Sequence, residues 1–116
     1  MAIIANTMMS GDLRINDVDR EGITQITPEM IAEAKAKNSR WKLIADVKRT
    51  DSGVAASARP MLLSYDDPLA QVNGAASALT YFTDVLAPIT LVGSGAGGKA
   101  TSFALLTDLI RIHTAS

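Results

Sequence analysis

The stretch Trp41-Lys-Leu-Ile-Ala-Asp-Val-Lys48, followed by Thr50-Asp-Ser-Gly53, decides the fold of this chain. In the first part, apolar residues at every second position alternate with Lys42, Asp46 and Lys48, a pattern typical of a strand with one solvated face. The second part is rich in turn-forming residues, so residues 54–63 are predicted to return as the second arm of a β-hairpin. Pro60 has no N–H to donate to a strand ladder, which predicts an edge or a bulge in that arm.

Helices and further strands are predicted on both sides of the hairpin. Thr27-Pro-Glu29 is a helix start, because the Thr27 hydroxyl can cap, Pro28 suits the first turn and Glu29 favours the positive end of the dipole. Residues 1–11 predict a short helix, residues 12–27 a linker, residues 75–83 and 89–92 two strands, and residues 103–112 an amphipathic helix. This order predicts an α+β fold, with a mixed or antiparallel four-stranded sheet and helices packed on one face.

Composition restricts the function further. A length of 116 residues predicts a single unit over residues 1–116, and eleven Lys+Arg against twelve Asp+Glu argue against a nucleic-acid partner or an anionic membrane surface. There is no cysteine and one histidine, His113, so the sequence predicts no metal site and no thiol or Ser–His nucleophile. No apolar run approaches the roughly 20 residues of a membrane span, and the N-terminus does not resemble a signal peptide, so we expect a cytoplasmic protein.

Residues 87–98 carry no charge, and such a stretch is expected to be buried against other protein surface. A chain of this length has only a modest core of its own. The sequence therefore predicts either an oligomer or a part of something larger.

The stretch Gly93-Ser-Gly-Ala-Gly-Gly-Lys99 is the part of the sequence that indicates chemistry. It is predicted to join a strand to the N-terminus of a helix. Glycines there let the backbone adopt positive φ and approach a ligand closely, and the helix adds unpaired N–H groups. A phosphate, a pyrophosphate or a carboxamide could bind to such a loop.

Three interpretations of this loop follow from the residues alone. Its spacing fits G-x-G-x-x-G, but a dinucleotide fingerprint needs a following strand and an acidic residue about 20 positions on, and neither is present. It also fits the first part of a phosphate-binding P-loop, but Ala100 stands where a hydroxyl should hold Mg²⁺, and Thr101 comes one position late. The third interpretation is a packing turn in which a strand passes close under a helix.

Three segments before the loop add a resemblance to a known family. They are Asp17-Val-Asp-Arg-Glu-Gly-Ile-Thr-Gln-Ile-Thr27, Lys42-Leu-Ile-Ala45 and Pro68-Leu-Ala-Gln-Val-Asn-Gly74. Together with the glycine loop and the helix around Asp108, they resemble motifs of homoserine dehydrogenases, in the same order. Two departures, Ser94 in place of the usual Pro and Lys99 at a variable position, leave the loop geometry possible.

The resemblance implies the C-terminal part of the substrate and dimerisation region of an enzyme that acts on a small-molecule substrate. The family transfers a hydride between L-homoserine and L-aspartate 4-semialdehyde with NAD or NADP, in the synthesis of threonine, methionine and isoleucine. The resemblance also implies a homodimer formed through the sheet. It places Gly97 against the dinucleotide, with Gly95 and Gly98 as supporting positions.

The resemblance implies as well that the Rossmann nucleotide-binding domain and the catalytic residues belong to segments N-terminal to this one. We therefore assign no catalytic residue in this chain and expect it to be inactive alone. The alternative is a stand-alone, non-enzymatic dimer with a binding or regulatory role.

Overall fold

The computed structural model describes residues 1–115, which form two compact units, Met1–Asp66 and the part from Asp67 onward. Each unit is described by itself. The first unit contains α1 (Ala2–Met8), β1 (Asp19–Arg20), α2 (Pro28–Ala36), β2 (Ser39–Thr50) and β3 (Gly53–Ser64). The second contains β4 (Ala76–Tyr81), β5 (Ile89–Ser94) and α3 (Gly98–Thr114).

The β-hairpin predicted around residues 41–63 is confirmed. Strands β2 and β3 pair antiparallel from Ser39 opposite Ser64 to Thr50 opposite Gly53. The Thr50 hydroxyl closes the turn by donating a hydrogen bond of 3.2 Å to the carbonyl of Gly53. Alternation followed by turn residues therefore specified this element from local sequence alone.

A short strand flanks this hairpin. Strand β1 pairs in parallel with β3 at Ser57 and Ala58 only, so the stretch of β3 around Pro60 pairs with β2 alone. This edge position agrees with the prediction for Pro60. An ion pair between Arg59 and Asp19 also joins β3 to β1. The prediction of a plain linker over residues 12–27 was therefore wrong, since this segment contains β1 and a 3₁₀ turn at Ile15–Asp17.

Helix α2 begins as its sequence predicts. The Thr27 hydroxyl accepts a hydrogen bond of 3.3 Å from the N–H of Met30, and Pro28 occupies the first turn. The helix buries Ala34 and packs against β2. It ends at Ala36, and the chain turns at Asn38 with φ +50°.

The second unit is a hairpin followed by a long helix. Strands β4 and β5 pair antiparallel from Ala76 opposite Ser94 to Tyr81 opposite Ile89. Thr83 closes the turn between them, because its hydroxyl accepts from the N–H of Leu86 at 2.8 Å and donates to the Leu86 carbonyl at 2.9 Å.

The α+β class predicted from the sequence is confirmed, with one correction to the sheet. The four predicted strands form two hairpins in two separate sheets, a three-stranded mixed sheet of order β1-β3-β2 and a two-stranded antiparallel sheet of β4 and β5. Each hairpin closes through its own short turn, whereas the segment between β3 and β4 contains a 3₁₀ turn at Pro68–Gln71. Pairing therefore stays local within each hairpin.

The core of the described chain is small. Its buried apolar residues are alanines, namely Ala5, Ala34, Ala56 and Ala70. Large apolar side chains remain exposed, and most of them belong to the second unit. Leu43, which the alternation of β2 predicts to be covered, is 61% exposed because that face of the sheet has no complete layer over it in this unit.

None of the helices in residues 1–115 combines the length and the apolar character that crossing a membrane requires.

Candidate functional site

The glycine loop lies at the junction of β5 and α3. Strand β5 continues to Ser94, two residues beyond the predicted end at Val92, and α3 begins at Gly98. The connection is therefore only Gly95, Ala96 and Gly97. Every residue from 93 to 99 is exposed, so the loop is open to solvent.

Gly97 has a backbone conformation that requires glycine. Its φ is +124° with ψ +143°, a region that residues with a Cβ rarely adopt. It is also the N-cap of α3, and its carbonyl accepts the N–H of Thr101 at 3.0 Å. No side-chain cap hydrogen bond is present at this helix start in the described structure. The first N–H groups of α3 therefore have no side-chain acceptor from the N-cap.

Gly95 has a different requirement, which is internal to the chain. A Cβ at this position would lie 2.6 Å from the Ser77 hydroxyl oxygen and 3.1 Å from the Ser77 Cβ. Ser77 is on β4, opposite Gly93 in the sheet register. Gly95 therefore has a packing reason to be glycine that needs no ligand, although the close neighbour is a strand residue and not a helix. Sequence reasoning missed Ser77, since its approach depends on a strand register that no local motif encodes.

Gly98 has no such requirement. A Cβ at Gly98 would meet no heavy atom within 4 Å, and the residue lies inside α3. Neither steric contact nor backbone conformation in this chain demands a glycine there. The three glycines singled out from the sequence thus lie within four residues, and within the described chain only Gly95 and Gly97 have a reason to be glycine.

The electrostatics of the loop are simple. Lys99 is the only charged residue between Asp84 and Asp108, and it is exposed at the first turn of α3. Its ammonium adds positive charge at the helix end where the dipole is already positive. This end of the unit therefore favours a group with negative charge or with exposed acceptor oxygens.

Other conspicuous residues have local structural roles. Asp67 caps the 3₁₀ turn, because its carboxylate accepts from the N–H of Leu69 at 2.8 Å, while Asp66 lies 3.4 Å from the Ser64 hydroxyl. Gly74 has φ +61° and Asn73 donates to the carbonyl of Gln71 at 2.7 Å, so the segment Asn73-Gly74 forms a turn. These contacts favour the turn interpretation of both segments.

Acidic groups with altered ionisation lie on α2, away from the glycine loop in sequence. A hydrogen bond from Thr27 lowers the pKa of Glu29. A hydrogen bond from Lys37, at 2.6 Å, and the charge of that ammonium lower the pKa of Glu33. Both carboxyls are exposed, so these shifts report local helix contacts and not an acid–base site. Residues 1–115 contain no cluster of three or more histidine, cysteine, aspartate or glutamate side chains placed to hold a metal ion.

A groove of about 630 Å³ opens in the first unit, and no sequence motif indicated it. Its walls are isoleucines from the segment before α2 and from α2 itself, together with Trp41, Leu43 and Pro60. The charged residues along it are all cationic, namely Lys35, Arg40 and Lys42. Arg40 is already held, because its guanidinium lies 4.9 Å from the ring centroid of Tyr65 and donates to the Tyr65 hydroxyl at 2.8 Å.

Comparison with known proteins gives relatives over nearly the whole chain. An NAD(+)-dependent homoserine dehydrogenase of Pseudomonas canavaninivorans is 40% identical over 114 residues, which cover 97% of this chain and 32% of the relative. A homoserine dehydrogenase of Methanocaldococcus jannaschii is 35% identical over 116 residues, covering 100% of this chain and 33% of the relative. The chain therefore spans about a third of the length of these curated relatives.

Solved structures agree with these relatives. A homoserine dehydrogenase from Thiobacillus denitrificans is similar with a TM-score of 0.82 and 29% identity, over 99% of this chain and 27% of that one. The enzyme from S. aureus is similar with a TM-score of 0.81 and 28% identity, over 97% of this chain and 28% of that one. The family model of homoserine dehydrogenase matches residues 1–110. This chain therefore belongs to the homoserine dehydrogenase family.

Proposed function

We propose that this chain is the C-terminal part of the substrate and dimerisation region of an NAD(P)-dependent homoserine dehydrogenase. The overall reaction oxidises the alcohol of L-homoserine to the aldehyde of L-aspartate 4-semialdehyde, passes a hydride to the nicotinamide and releases a proton. It would serve the synthesis of threonine, methionine and isoleucine. NAD is supported by the name of the Pseudomonas canavaninivorans relative, while NADP stays an alternative.

The open glycine loop is the observation that carries this proposal. Gly97 and Gly98 would each place a Cβ in empty space, and the loop is exposed on the surface of its unit. Gly98 has no internal reason to lack a side chain and, unlike Gly93 within β5, it lies among the first N–H groups of α3, so a group bound at this helix start gives a reason for it. Backbone N–H groups at a helix N-terminus suit the phosphates or the carboxamide of a dinucleotide.

Within this proposal, the residues of the loop bind and position. Gly97 sets the direction in which the chain enters α3, and Gly98 lets a flat or bulky group approach the backbone. Lys99 adds a positive charge at the same helix end. When bound, the nicotinamide supplies the hydride chemistry.

The loop contains no histidine, carboxylate or tyrosine side chain. Residues 93–99 contain only glycine, serine, alanine and one lysine, and the single histidine, His113, lies at the other end of α3. Proton transfer and most of the dinucleotide contacts are therefore assigned to the two-thirds of the family protein that this chain does not match. We expect no dehydrogenase activity from the 116-residue chain alone.

The homodimer is also part of the proposal. Two apolar side chains on one face of the β2–β3 hairpin, Leu43 and Leu62, are exposed and close in register, since Leu62 pairs with Trp41 and Leu43 with Pro60. Such a surface suits a sheet face covered by a second copy. We keep the cytoplasm as the predicted location.

A chimera tests the proposed function. The segment of the Pseudomonas canavaninivorans enzyme that this chain matches is replaced by residues 1–116, and homoserine-dependent reduction of NAD and of NADP is measured. We expect activity from the chimera and none from the purified 116-residue chain. A folded chimera without activity, or measurable activity of the chain alone, would contradict the proposal. The first outcome would favour the alternative of a non-enzymatic module.

A further inference from the structure

The turn before β4 contains a reactive pair of residues, Asn73-Gly74. Both residues are exposed. Gly74 has φ +61°, and the N–H of Ala76 closes the turn by donating a hydrogen bond of 3.3 Å to the Asn73 carbonyl. The proposed function gives the Asn73 side chain no chemical role, so its own reactivity is a separate question.

An asparagine side chain is open to attack by the backbone nitrogen of the residue that follows it. Here the Gly74 nitrogen loses its proton to water and forms a bond to the Cγ of Asn73, while the bond from Cγ to Nδ2 breaks and ammonia leaves. The product is a five-membered succinimide. One water molecule then opens the ring at either of its two carbonyls, which gives aspartate or isoaspartate. The conversion consumes water alone and changes no oxidation state.

The backbone around Gly74 leaves this attack unobstructed. A Cβ at Gly74 would meet no heavy atom within 4 Å, so the space beside it is open. Within the described residues, the Gly74 N–H donates no hydrogen bond that would have to break first. Glycine also has no Cβ of its own to shield its nitrogen. The Asn73 amide donates to the Gln71 carbonyl at 2.7 Å, but this contact is exposed, so water can replace it.

The other three asparagines of the described chain lack this combination. Both polar atoms of the Asn6 side-chain amide are held by hydrogen bonds of 2.8 and 2.9 Å. Asn16 is followed by Asp17, whose N–H donates to a backbone carbonyl at 3.0 Å. Asn38 is exposed, but Ser39 after it carries a side chain and begins β2. Fast reaction is therefore expected at one asparagine of the four.

We propose that Asn73 is a modification site, at which this chain converts its own asparagine to aspartate and isoaspartate, and that the isoaspartate form loosens the start of β4. The inference goes beyond the proposed function and does not depend on it. It needs no partner and no ligand, because the electrophile and the nucleophile are neighbours in one exposed turn.

The effect on β4 follows from the connectivity of isoaspartate. Its main chain runs through Cγ, so one carbon is added ahead of Gly74, and the carbonyl that accepts from Ala76 becomes a free carboxylate. The turn closed by that hydrogen bond is therefore longer in the isoaspartate form. Strand β4 begins at Ala76, opposite Ser94, which is the last residue of β5 before the glycine loop. The modification thus acts at the end of the hairpin that leads into this loop.

Peptide mass spectrometry of the purified 116-residue chain tests the modification. The chain is incubated at neutral and at mildly alkaline pH, and the aspartate and isoaspartate forms at each asparagine are separated and quantified over time. We expect Asn73 to convert at least about 10-fold faster than Asn38, because only Asn73 precedes a residue without a Cβ. The rate should rise with pH, since the attacking nitrogen must lose its proton. Asn73→Gln should not react at this position under the same conditions, because its side chain would have to form a six-membered ring.

A comparison with the chain unfolded in urea shows whether the turn permits the reaction. We expect the folded chain to react within about 10-fold of the unfolded rate, because a single exposed hydrogen bond has to be replaced. Stronger protection than this would overturn the inference, and so would equal rates at Asn73 and Asn38. Formation of aspartate without isoaspartate would also overturn it, since that outcome indicates direct hydrolysis of the amide without a ring.

Backbone hydrogen exchange tests the effect on β4. We expect the first amides of β4 to exchange at least about 10-fold faster in the isolated isoaspartate form than in the unmodified chain, with the β2–β3 hairpin unchanged as an internal reference. Asn73→Asp is the matched control, because it carries the same charge without the added carbon, and it should change this exchange by less than about 2-fold. Unchanged exchange in the isoaspartate form, or an equal change in Asn73→Asp, would overturn the assignment of the effect to the longer turn.

Discussion

Replacing Gly98 by alanine separates the demands of the fold from those of a ligand. The added Cβ meets no heavy atom within 4 Å in this chain, so it has no steric cost there. The residue lies in the first turn of α3, where exchanging glycine for alanine lowers the backbone entropy of the unfolded chain. We therefore expect Gly98→Ala to raise the free energy of unfolding of the 116-residue chain by up to about 1 kcal/mol.

The same methyl group should be harmful in the assembled enzyme. If the loop backbone lies in van der Waals contact with the dinucleotide, the Cβ must displace it, and overpacking of this kind costs about 1–3 kcal/mol. That cost corresponds to a rise of about 5- to 150-fold in the KM for the dinucleotide. Urea unfolding of the chain and steady-state kinetics of the chimera give the two quantities.

Gly93→Ala is the matched control. Gly93 also has open space around its Cβ position, but it lies within β5 and not at the helix start. We expect it to leave the KM for the dinucleotide unchanged within about 2-fold, since the resemblance does not place it against the ligand. An unchanged KM in Gly98→Ala, or an equal rise in both variants, would refute the reasoning that places the dinucleotide at this helix start.

Three further predictions concern the fold itself. Gly97→Ala forces a Cβ into φ +124° and should lower the free energy of unfolding by about 1–3 kcal/mol in urea titrations, whereas no loss would show that the loop can relax. Thr27→Ala removes the hydroxyl that accepts a hydrogen bond from the N–H of Met30 and should lower the free energy of unfolding by about 0.5–2 kcal/mol, whereas Thr27→Ser should retain most of it. Lys37 lowers the pKa of Glu33 below its ordinary value of 4.5. The ionised Glu33 therefore adds to the free energy of unfolding above pH 4.5, and this contribution is lost as the pH falls through the lowered pKa. Glu33→Gln should flatten the fall in stability below pH 4.5, and an unchanged acid profile would contradict this.

Elements that depend on neighbouring residues were predictable from the sequence. The β2–β3 hairpin follows from alternation and four turn residues, and α2 follows from Thr27, Pro28 and Glu29. Each of these signals acts over a few residues, within the reach of a turn or a cap. The same locality explains the boundary errors, because β5 gains Gly93 and Ser94 through pairing with β4 and not through its own propensity.

Features that depend on distant residues were not predictable. Strand β1 is two residues long and exists through pairing with Ser57 and Ala58, nearly forty positions away in sequence. The division of the four predicted strands into two sheets likewise depends on which strands pair with each other, which local sequence does not determine. The exposure of Leu43 is a third example, because alternation identifies a face but does not supply the layer that covers it.

The glycine loop shows why spacing locates a candidate site without assigning a role to each residue. Gly95 is needed because Ser77 approaches it, and Gly97 is needed because of its φ, so both would be glycine in a loop that binds nothing. Gly98 differs, since neither contact nor conformation requires it within the chain. A motif of glycines therefore mixes positions required by the fold with positions required by a ligand. In this protein Gly98 supports the proposed dinucleotide contact far more than the number of glycines around it does.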